Sequence, residues 1–236
     1  MSDLWDAFVQ AIHLIVSFDP EVMDIAWRSL WIATASTAIC VLICLPLGSL
    51  INFNRFRGKH LLISMLQTLF SMPTVAVGLI VYVLFSHAGP LGILDLVFTP
   101  QLMVIGQALL VMPMMLGLVI SALSGVDKAV METATSLGAN RAQAYIINMR
   151  EAKFPIMTAV VMGFGRGISE VGLSLIVGGN IAGYTRTLTT GISLYTSMGR
   201  ITEAIALGII LIFIALIINI AIYILQRQRK WVWFPS

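Results

Sequence analysis

Two opposite charges lie inside one of the apolar runs of this chain. Arg166 and Glu170 are four residues apart in the run 156–180, and this spacing places both on one face of a helix. Charges inside a membrane are costly, and they usually face the interior of a helix bundle or a water-filled path. We favour a structural ion pair that orients the helix. Direct handling of an anion by Arg166 is the alternative, although Glu170 beside it would largely cancel its field.

A polar segment follows this run. Two glycines at 178 and 179 predict the end of a helix and a turn, and the hydroxyl, amide and guanidinium groups after them could hydrogen-bond a tetrahedral anion. A solvated loop is the alternative interpretation. The candidate residues for a pathway, a gate or helix packing are Arg166, Glu170, Gly179, Asn180, Thr185, Arg186 and Thr187.

The sequence offers few groups for catalysis. No nucleophile, base and metal ligands form a recognisable constellation, and His13, His60 and His87 are scattered, so we expect no catalytic residue and no metal site. The nucleotide-binding pattern Gly-x-x-x-x-Gly-Lys-Ser/Thr does not occur. Cys40 and Cys44 lie four apart in an apolar run. We expect them to pack as small apolar residues rather than form a disulfide, redox centre or metal site.

The composition is that of a membrane protein. Of the 236 residues, 58% are hydrophobic and 11% are charged, whereas about a quarter are charged in soluble domains. The mean hydropathy is +0.95. The net charge of +3 forms no contiguous basic patch, which argues against nucleic-acid binding. The apolar runs long enough to cross about 30 Å of hydrocarbon are 29–52, 61–86, 101–124, 156–180 and 203–225.

Basic residues distinguish the two sides of the membrane. Those on one side are Arg55, Arg57, Lys59, Lys128, Arg141, Arg150, Lys153, Arg227, Arg229 and Lys230, and those on the other are Arg28, Arg186 and Arg200. Because cytoplasmic loops carry the excess of Lys and Arg, we expect the N-terminus outside and the C-terminus in the cytoplasm. Trp231 and Trp233 suit an anchor at the membrane interface.

The first 28 residues differ from the apolar runs. Their large apolar residues recur at helical spacing among polar ones, at Trp5, Phe8, Ile12 and Ile15. This pattern favours an amphipathic helix on the membrane surface over a sixth span. The acidic start lacks the features of a secretory signal. The predicted parts of the chain are an amphipathic segment (1–28), a transmembrane domain (29–225) and a cytoplasmic tail (226–236).

Three prolines lie inside the predicted spans, at positions 46, 73 and 113. Each removes a backbone hydrogen bond and predicts a kink. Kinks of this kind could shape a gate, and irregular helix packing is an equally good interpretation.

The polar segment between the third and fourth runs predicts a bent pair of helices. Asp127 can cap a first helix over 128–137, which Gly138 can end in a left-handed conformation. Asn140 can cap a second helix that begins at 141. The bend would present Glu132, Gly138 and Ala139 to a partner, while Val130, Leu137, Tyr145 and Ile146 could face the bundle.

This segment resembles the cytoplasmic docking motif of ABC importer permeases. The order of Glu132, Ala134, Gly138 and Tyr145 has the spacing of that family. The resemblance implies contact with an ATP-binding subunit through Glu132, Ala134, Leu137, Gly138, Ala139 and Tyr145. Family members usually continue with a Leu-Pro pair, where this chain has Arg150-Glu151 and only the later Pro155. Because the docking part of the motif is intact, this difference bears on which subfamily of ABC importer permeases the chain resembles more than on whether it resembles an ABC permease.

The run from Gly163 to Ile192, which contains Ser169-Glu170-Val171-Gly172, looks like the corresponding part of tungstate-type and, less closely, molybdate-type ABC permeases. From the apolar runs and the spacing near the N-terminus we expect an all-α membrane fold of five transmembrane helices with an N-terminal amphipathic helix, and the docking segment would be its cytoplasmic coupling helix. The resemblance implies a homodimer, two ATP-binding subunits that hold ATP and Mg, and an external oxyanion-binding protein.

The substrate implied by this resemblance is tungstate, with molybdate or another small oxyanion as the alternative. The chain would be a transport subunit of the inner membrane rather than an enzyme. A channel or secondary transporter is the rival class, and such a protein would need no docking segment.

Overall fold

The computed structural model describes the backbone of residues 2–54 and 56–231 and the side chains of residues 5–54 and 56–226. Throughout these residues the chain is all-α and contains no strand. The helices are α1 (Ser2–Val16), α2 (Pro20–Phe53), α3 (Lys59–Phe70), α4 (Thr74–Phe85), α5 (Pro100–Ser124), α6 (Lys128–Ser136), α7 (Arg141–Glu151), α8 (Lys153–Ile168), α9 (Gly172–Gly178), α10 (Leu188–Ser197) and α11 (Ile201–Trp231). The predicted roles of Arg55, Trp233 and the side chains of Arg227, Arg229, Lys230 and Trp231 lie outside the described residues.

The five predicted apolar runs correspond to helices in two different ways. Three of them are long unbroken helices, α2, α5 and α11, each apolar enough to cross a membrane. The other two are broken pairs, α3 with α4 and α8 with α9, and the second pair is bent by 59°. The described chain therefore has three candidate spans, or up to five when each pair counts as one span. A multi-pass membrane protein is confirmed at this level.

The prolines inside the runs have unequal effects. Pro46 and Pro113 lie within α2 and α5, which continue through them. Pro73 precedes α4 with an extended backbone, φ −60° and ψ 123°. Since a proline restrains the residue before it from helical geometry, the predicted kink at Pro73 becomes a complete break between α3 and α4.

The described chain forms two compact units. The first contains residues 1–36, 72–110 and 164–217. One of its cores surrounds Tyr195 of α10 and Leu207 of α11, both buried together with Ile25 of α2. Its second core joins α2, α4, α5 and α9 around residues such as Leu102 and Leu173.

The amphipathic helix predicted near the N-terminus forms as α1 and packs on the first of these cores. Ala11 is fully buried there, and Ile15 packs against the same cluster. Trp5, Phe8 and Ile12 are exposed. An outward apolar face suits contact with lipid, while the inner face ties the helix to the fold.

Close contact between α4 and α9 depends on a missing side chain. A Cβ on Gly78 would lie 2.9 Å from the Cα of Leu173, and one on Gly106 of α5 would lie 3.0 Å from the Leu173 side chain. Small residues let membrane helices approach closely. The short helix α9 is therefore held between α4 and α5.

The second unit contains residues 37–71, 111–163 and 218–236. Its helices also approach at glycines, since a Cβ on Gly48 would meet Val119 at 2.6 Å and one on Gly163 would meet Met115 at 2.4 Å. Cys40 and Cys44 are buried and form no disulfide. The predicted packing role of these two cysteines is confirmed.

Candidate functional site

The bent helical pair predicted between the third and fourth runs is present as α6 and α7. The Asp127 carboxylate accepts a hydrogen bond from the Ala129 N–H at 2.9 Å, which caps α6. Gly138 follows α6 with φ +86°. Asn140 and Gln143 form a reciprocal capping box at the start of α7, with bonds of 2.9 and 2.8 Å. Local sequence signals therefore determine both helix ends and the turn between them.

The outward and inward faces of this pair differ from the prediction at two positions. Leu137 and Ile146 were expected to face the bundle, but Leu137 is 83% exposed and Ile146 is 46% exposed. The reason is that α6 ends at Ser136, so Leu137 lies at its cap and Ala134 takes the inward position. Tyr145 does pack inward, because its ring stacks on Phe53 of α2 with centroids 4.1 Å apart.

The surface that α6 and its turn leave open combines polar and apolar groups. Glu132 and Gly138 are exposed, and Ala139 is half-buried. A Cβ on Gly138 would meet nothing within 4 Å. Leu137 adds an apolar side chain that is 83% exposed. The turn thus presents a carboxylate, a leucine side chain and a glycine backbone on one open surface.

A cavity of about 1030 Å³ lies in the second unit, next to the bent pair. Its walls come from the ends of α5 and α11 and from the start of α8, including Leu118, Thr158 and Met162. Charged residues line it as well, namely Asp127, Arg150, Glu151 and Lys153. No sequence pattern indicates this cavity, because its walls are contributed by helices far apart in the chain.

Arg166 and Glu170 form the predicted ion pair, with Arg166 Nη1 donating to Glu170 Oε2 at 2.8 Å. Glu170 lies in the break between α8 and α9 rather than inside one continuous helix. Its other oxygen accepts the N–H of Leu173 at 3.0 Å, and its backbone carbonyl accepts the Thr189 hydroxyl at 2.7 Å. The carboxylate therefore caps α9 as well as pairing with Arg166.

A buried polar chain that sequence reasoning did not identify lies in the same unit. The Gln107 carbonyl accepts the Ser36 hydroxyl at 3.3 Å, and its NH₂ donates to Ser174 Oγ at 3.3 Å. All three residues are buried. This chain links α2, α5 and α9. The signal was a lone glutamine inside an apolar run, since buried polar groups need partners.

The segment after α9 is tied together by its own side chains. Thr185 Oγ1 donates to the Gly178 carbonyl at 2.5 Å and accepts the Ile181 N–H at 2.9 Å. Thr187 and Thr190 form a capping box for α10. Gly179 and Asn180 have φ values of +68° and +52°, as expected for the predicted turn.

These internal bonds bear on the predicted anion contacts. The four hydroxyls at positions 185, 187, 189 and 190 are buried and already hydrogen-bonded. Asn180 also donates to the Thr190 carbonyl, at 3.1 Å. Direct binding of an anion by this loop stays a prediction, and it would require breaking bonds that hold the loop in shape.

Arg186 is held in a compact polar cluster. Its Nη1 donates to the Tyr195 hydroxyl at 3.0 Å and lies 3.6 Å from Glu21 Oε1, while Arg28 donates to its backbone carbonyl. The Tyr195 hydroxyl also donates to Glu21. Burial, followed by the hydrogen bond to Glu21, raises the pKa of Tyr195. The Arg186 side chain is 12% exposed, so its role in this arrangement is to join α2 to α10.

The unequal burial of Arg166 and Glu170 predicts an order of stabilities. Arg166→Ala should destabilise the protein by about 3 kcal/mol, because it leaves a buried carboxylate with one bond fewer. Glu170→Ala should cost less, since the one-third-exposed guanidinium can reach water. The double variant should be more stable than Arg166→Ala alone. Thermal unfolding of the purified protein in detergent measures all three.

Arg200→Ala is the comparison variant for this series. Arg200 is 43% exposed and pairs with Glu203 at 2.7 Å, and it also lies 3.8 Å from Glu21 and over the Tyr195 ring. Because these contacts are more exposed, we expect a cost of about 1 kcal/mol, below that at Arg166. Equal losses at both arginines, or a double variant with strictly additive losses, would contradict a coupled buried pair.

The chain is similar to known transport proteins. The family model described as "Binding-protein-dependent transport system inner membrane component" matches residues 44–230. The chain is 42% identical over 228 residues to a tungstate uptake system permease of Peptoclostridium acidaminophilum, covering 97% of this chain and all of the relative. It is 35% identical to the tungstate uptake system permease of Campylobacter jejuni, over 95% of this chain and 94% of the relative.

A molybdenum transport system permease of Escherichia coli is 29% identical, over 84% of this chain and 90% of the relative. The resemblance to ABC importer permeases seen in the sequence is thereby confirmed, and so is the tungstate-type subfamily. Since the family model covers most of the chain and the similarity to individual members extends over almost all of it, the chain belongs to the family of inner-membrane components of binding-protein-dependent transport systems.

Proposed function

We propose that this chain is the transmembrane permease subunit of an ATP-driven importer whose substrate is tungstate. The observation that supports this most strongly is the near-full-length similarity to two tungstate uptake permeases. Family membership supports a need for a substrate-binding protein and an ATP-binding partner. The transport subunit itself would carry out no chemical step.

The proposed docking surface for the ATP-binding subunit is the turn between α6 and α7. Glu132 supplies an exposed carboxylate, Leu137 an exposed apolar side chain, and Gly138 a turn without a side chain. Ala134 and Tyr145 support this surface from inside, because Ala134 is buried and Tyr145 stacks on Phe53. A push on the turn would thus pass through an aromatic stack to α2. ATP and Mg would bind to the partner subunit.

The proposed assembly contains two copies of this chain. The exposed apolar faces of α4 and α11, including Leu79, Ile80, Ile212 and Phe213, are consistent with contact to a second copy or to lipid. Each copy would cross the membrane five times, with the broken pairs counted as single spans. The positions of the basic residues support an outside N-terminus and a cytoplasmic docking turn.

Alternating access follows from this arrangement. ATP binding would draw the partner subunits together beneath the two docking turns, and the pathway would open to the outside to receive an oxyanion. Return of the subunits would open it to the cytoplasm. The breaks at Pro73 and Glu170 are the places where the spans can change direction without disrupting a complete helical ladder.

Molybdate is the second candidate substrate. It is supported by the similarity to the molybdenum permease of Escherichia coli. Tungstate and molybdate are tetrahedral dianions of similar size, so selection between them depends on small differences in contact geometry. An ATP-independent channel or secondary transporter is the rival class.

The proposed orientation can be tested with reporter fusions. A reporter active only outside the membrane should work after Pro20 and after Thr187, and one active only in the cytoplasm should work after Arg57 and after Asn140. The distribution of Lys and Arg is the physical reason. A cytoplasmic position for residue 20 would contradict the proposal and make α1 a further span.

The docking turn can be tested with two matched glycines. Gly138 and Gly58 both have positive φ, +86° and +95°, and a Cβ on either would meet nothing within 4 Å. Aspartate at either position therefore has the same conformational cost, about 1 kcal/mol. Only Gly138→Asp places a charge on the proposed interface, and it should reduce uptake about tenfold or more.

The measurements are co-purification of the ATP-binding subunit and uptake per assembled complex. Gly58→Asp should leave both within about twofold of the wild type. Normal assembly and uptake in a stably expressed Gly138→Asp variant would remove this glycine from the docking surface.

Accumulation of metal in cells tests the substrate. Cells with and without the permease receive tungstate and molybdate at equal low concentration, and intracellular W and Mo are measured. We expect permease-dependent tungsten uptake that resists excess molybdate and stops when ATP is depleted. Uptake of molybdenum alone would support molybdate as the substrate. Uptake that continues without ATP would support a channel or secondary transporter. Uptake of neither metal would exclude both oxyanions.

A further inference from the structure

The two members of the Arg166–Glu170 pair are in unequal surroundings. The Glu170 side chain is 2% exposed, and each of its oxygens already accepts one hydrogen bond. The Arg166 side chain is 33% exposed. Among the described residues, it donates only through Nη1. Its Nε and Nη2 groups, which lie on one edge of the guanidinium, are therefore available to a ligand.

Arg186 is a more enclosed arginine in the same unit. It is 12% exposed, and its guanidinium donates to the Tyr195 hydroxyl and to the Asn180 carbonyl. Its Nε has no hydrogen-bond partner among the described residues but is buried. Arg166 has almost three times that exposed fraction, so its unpaired edge, unlike that of Arg186, is within reach of a ligand.

An exposed polar residue follows Arg166 closely in the chain. Ser169 comes three residues later, just beyond the end of α8. It is exposed, and its hydroxyl donates to the Arg166 carbonyl at 3.2 Å. The end of α8 therefore carries two accessible polar side chains.

We propose that Arg166 is the residue that contacts the anion inside the permease, with Glu170 as the residue that positions it. This inference rests on the proposed function as an oxyanion importer. The Nε and Nη2 groups form a planar fork that matches two oxygens of a tetrahedral oxyanion. The guanidinium is 33% exposed and the carboxylate only 2%, so a dianion beside α8 has access to the N–H donors rather than to the carboxylate.

The neutral pair also explains why the site would release its ligand. An isolated cation at membrane depth would attract a dianion strongly and hold it. The carboxylate of Glu170, paired with Nη1 at 2.8 Å, opposes that attraction, and its bond to the Leu173 N–H fixes its place. The site is therefore selective in geometry and weak in affinity, as passage requires.

The test uses the complete importer in proteoliposomes, with its ATP-binding subunit and binding protein. The main variant is Arg166→Gln combined with Glu170→Gln, which removes both charges and leaves no unpaired one. The control is Arg200→Gln combined with Glu203→Gln, the same change in a pair that is more exposed on both sides, 43% and 26%, although Arg200 also lies 3.8 Å from Glu21. Initial rates of tungstate uptake and of ATP hydrolysis are measured per assembled complex.

We expect the control to retain uptake within about twofold, and the main variant to lose it by about tenfold while ATP hydrolysis stimulated by the loaded binding protein persists. Arg166→Lys should lose less, since it keeps the charge and not the fork. Uptake by the main variant at the control rate overturns the proposal.

If the main variant does not assemble, the Arg166→Lys variant is the test. Uptake by Arg166→Lys at the wild-type rate, with unchanged discrimination among tungstate, molybdate and sulfate, would overturn the role of the fork. If the wild-type importer carries molybdate rather than tungstate, the same test is run with molybdate. One that carries no oxyanion overturns the proposed function itself, and this inference with it.

Discussion

The shape of the fourth apolar run depends on how the carboxylate of Glu170 is satisfied. A carboxylate that is 2% exposed needs partners for both oxygens, because an unpaired buried charge costs several kcal/mol. One partner, Arg166, lies on the preceding turn. The other is the backbone N–H of Leu173, which is free only because the helix breaks before α9. The break and the buried charge therefore stabilise each other.

The same residue also connects the break to the segment beyond it. Its backbone carbonyl accepts the hydroxyl of Thr189 in α10, and Thr187 and Thr190 close the start of that helix. Gly78 and Gly106 let α4 and α5 pack closely around Leu173. A displacement of the Glu170 carboxylate would thus change the packing of α4, α5 and α10 together. Such coupling makes this region suited to switching between two arrangements rather than deforming gradually.

The sequence predicted those features that depend on neighbours within a few residues. Asp127, Gly138 and Asn140 each form the cap or turn that their residue types favour, and Arg166 pairs with Glu170 across one helical turn. Other features could not be read from the sequence. The outward position of Leu137 depends on where α6 ends, and the bonds of Gln107 join helices far apart in the chain. Such bonds are set by packing, which periodicity does not encode.

The hydrogen-bonded threonines of the loop after α9 change where selectivity can arise. Its threonines suggested an anion site by composition, yet each hydroxyl already has a partner in the fold. A ligand would have to replace those bonds one for one, and the exchange would gain little free energy. A hydrogen-bond donor without such a competing partner gains more free energy when it binds an anion. Within the first unit, the guanidinium edge of Arg166 meets that condition, and its carboxylate neighbour limits how strongly it can hold a dianion. Tight capture then has to occur before the anion enters the membrane, which is consistent with a family that depends on a separate binding protein.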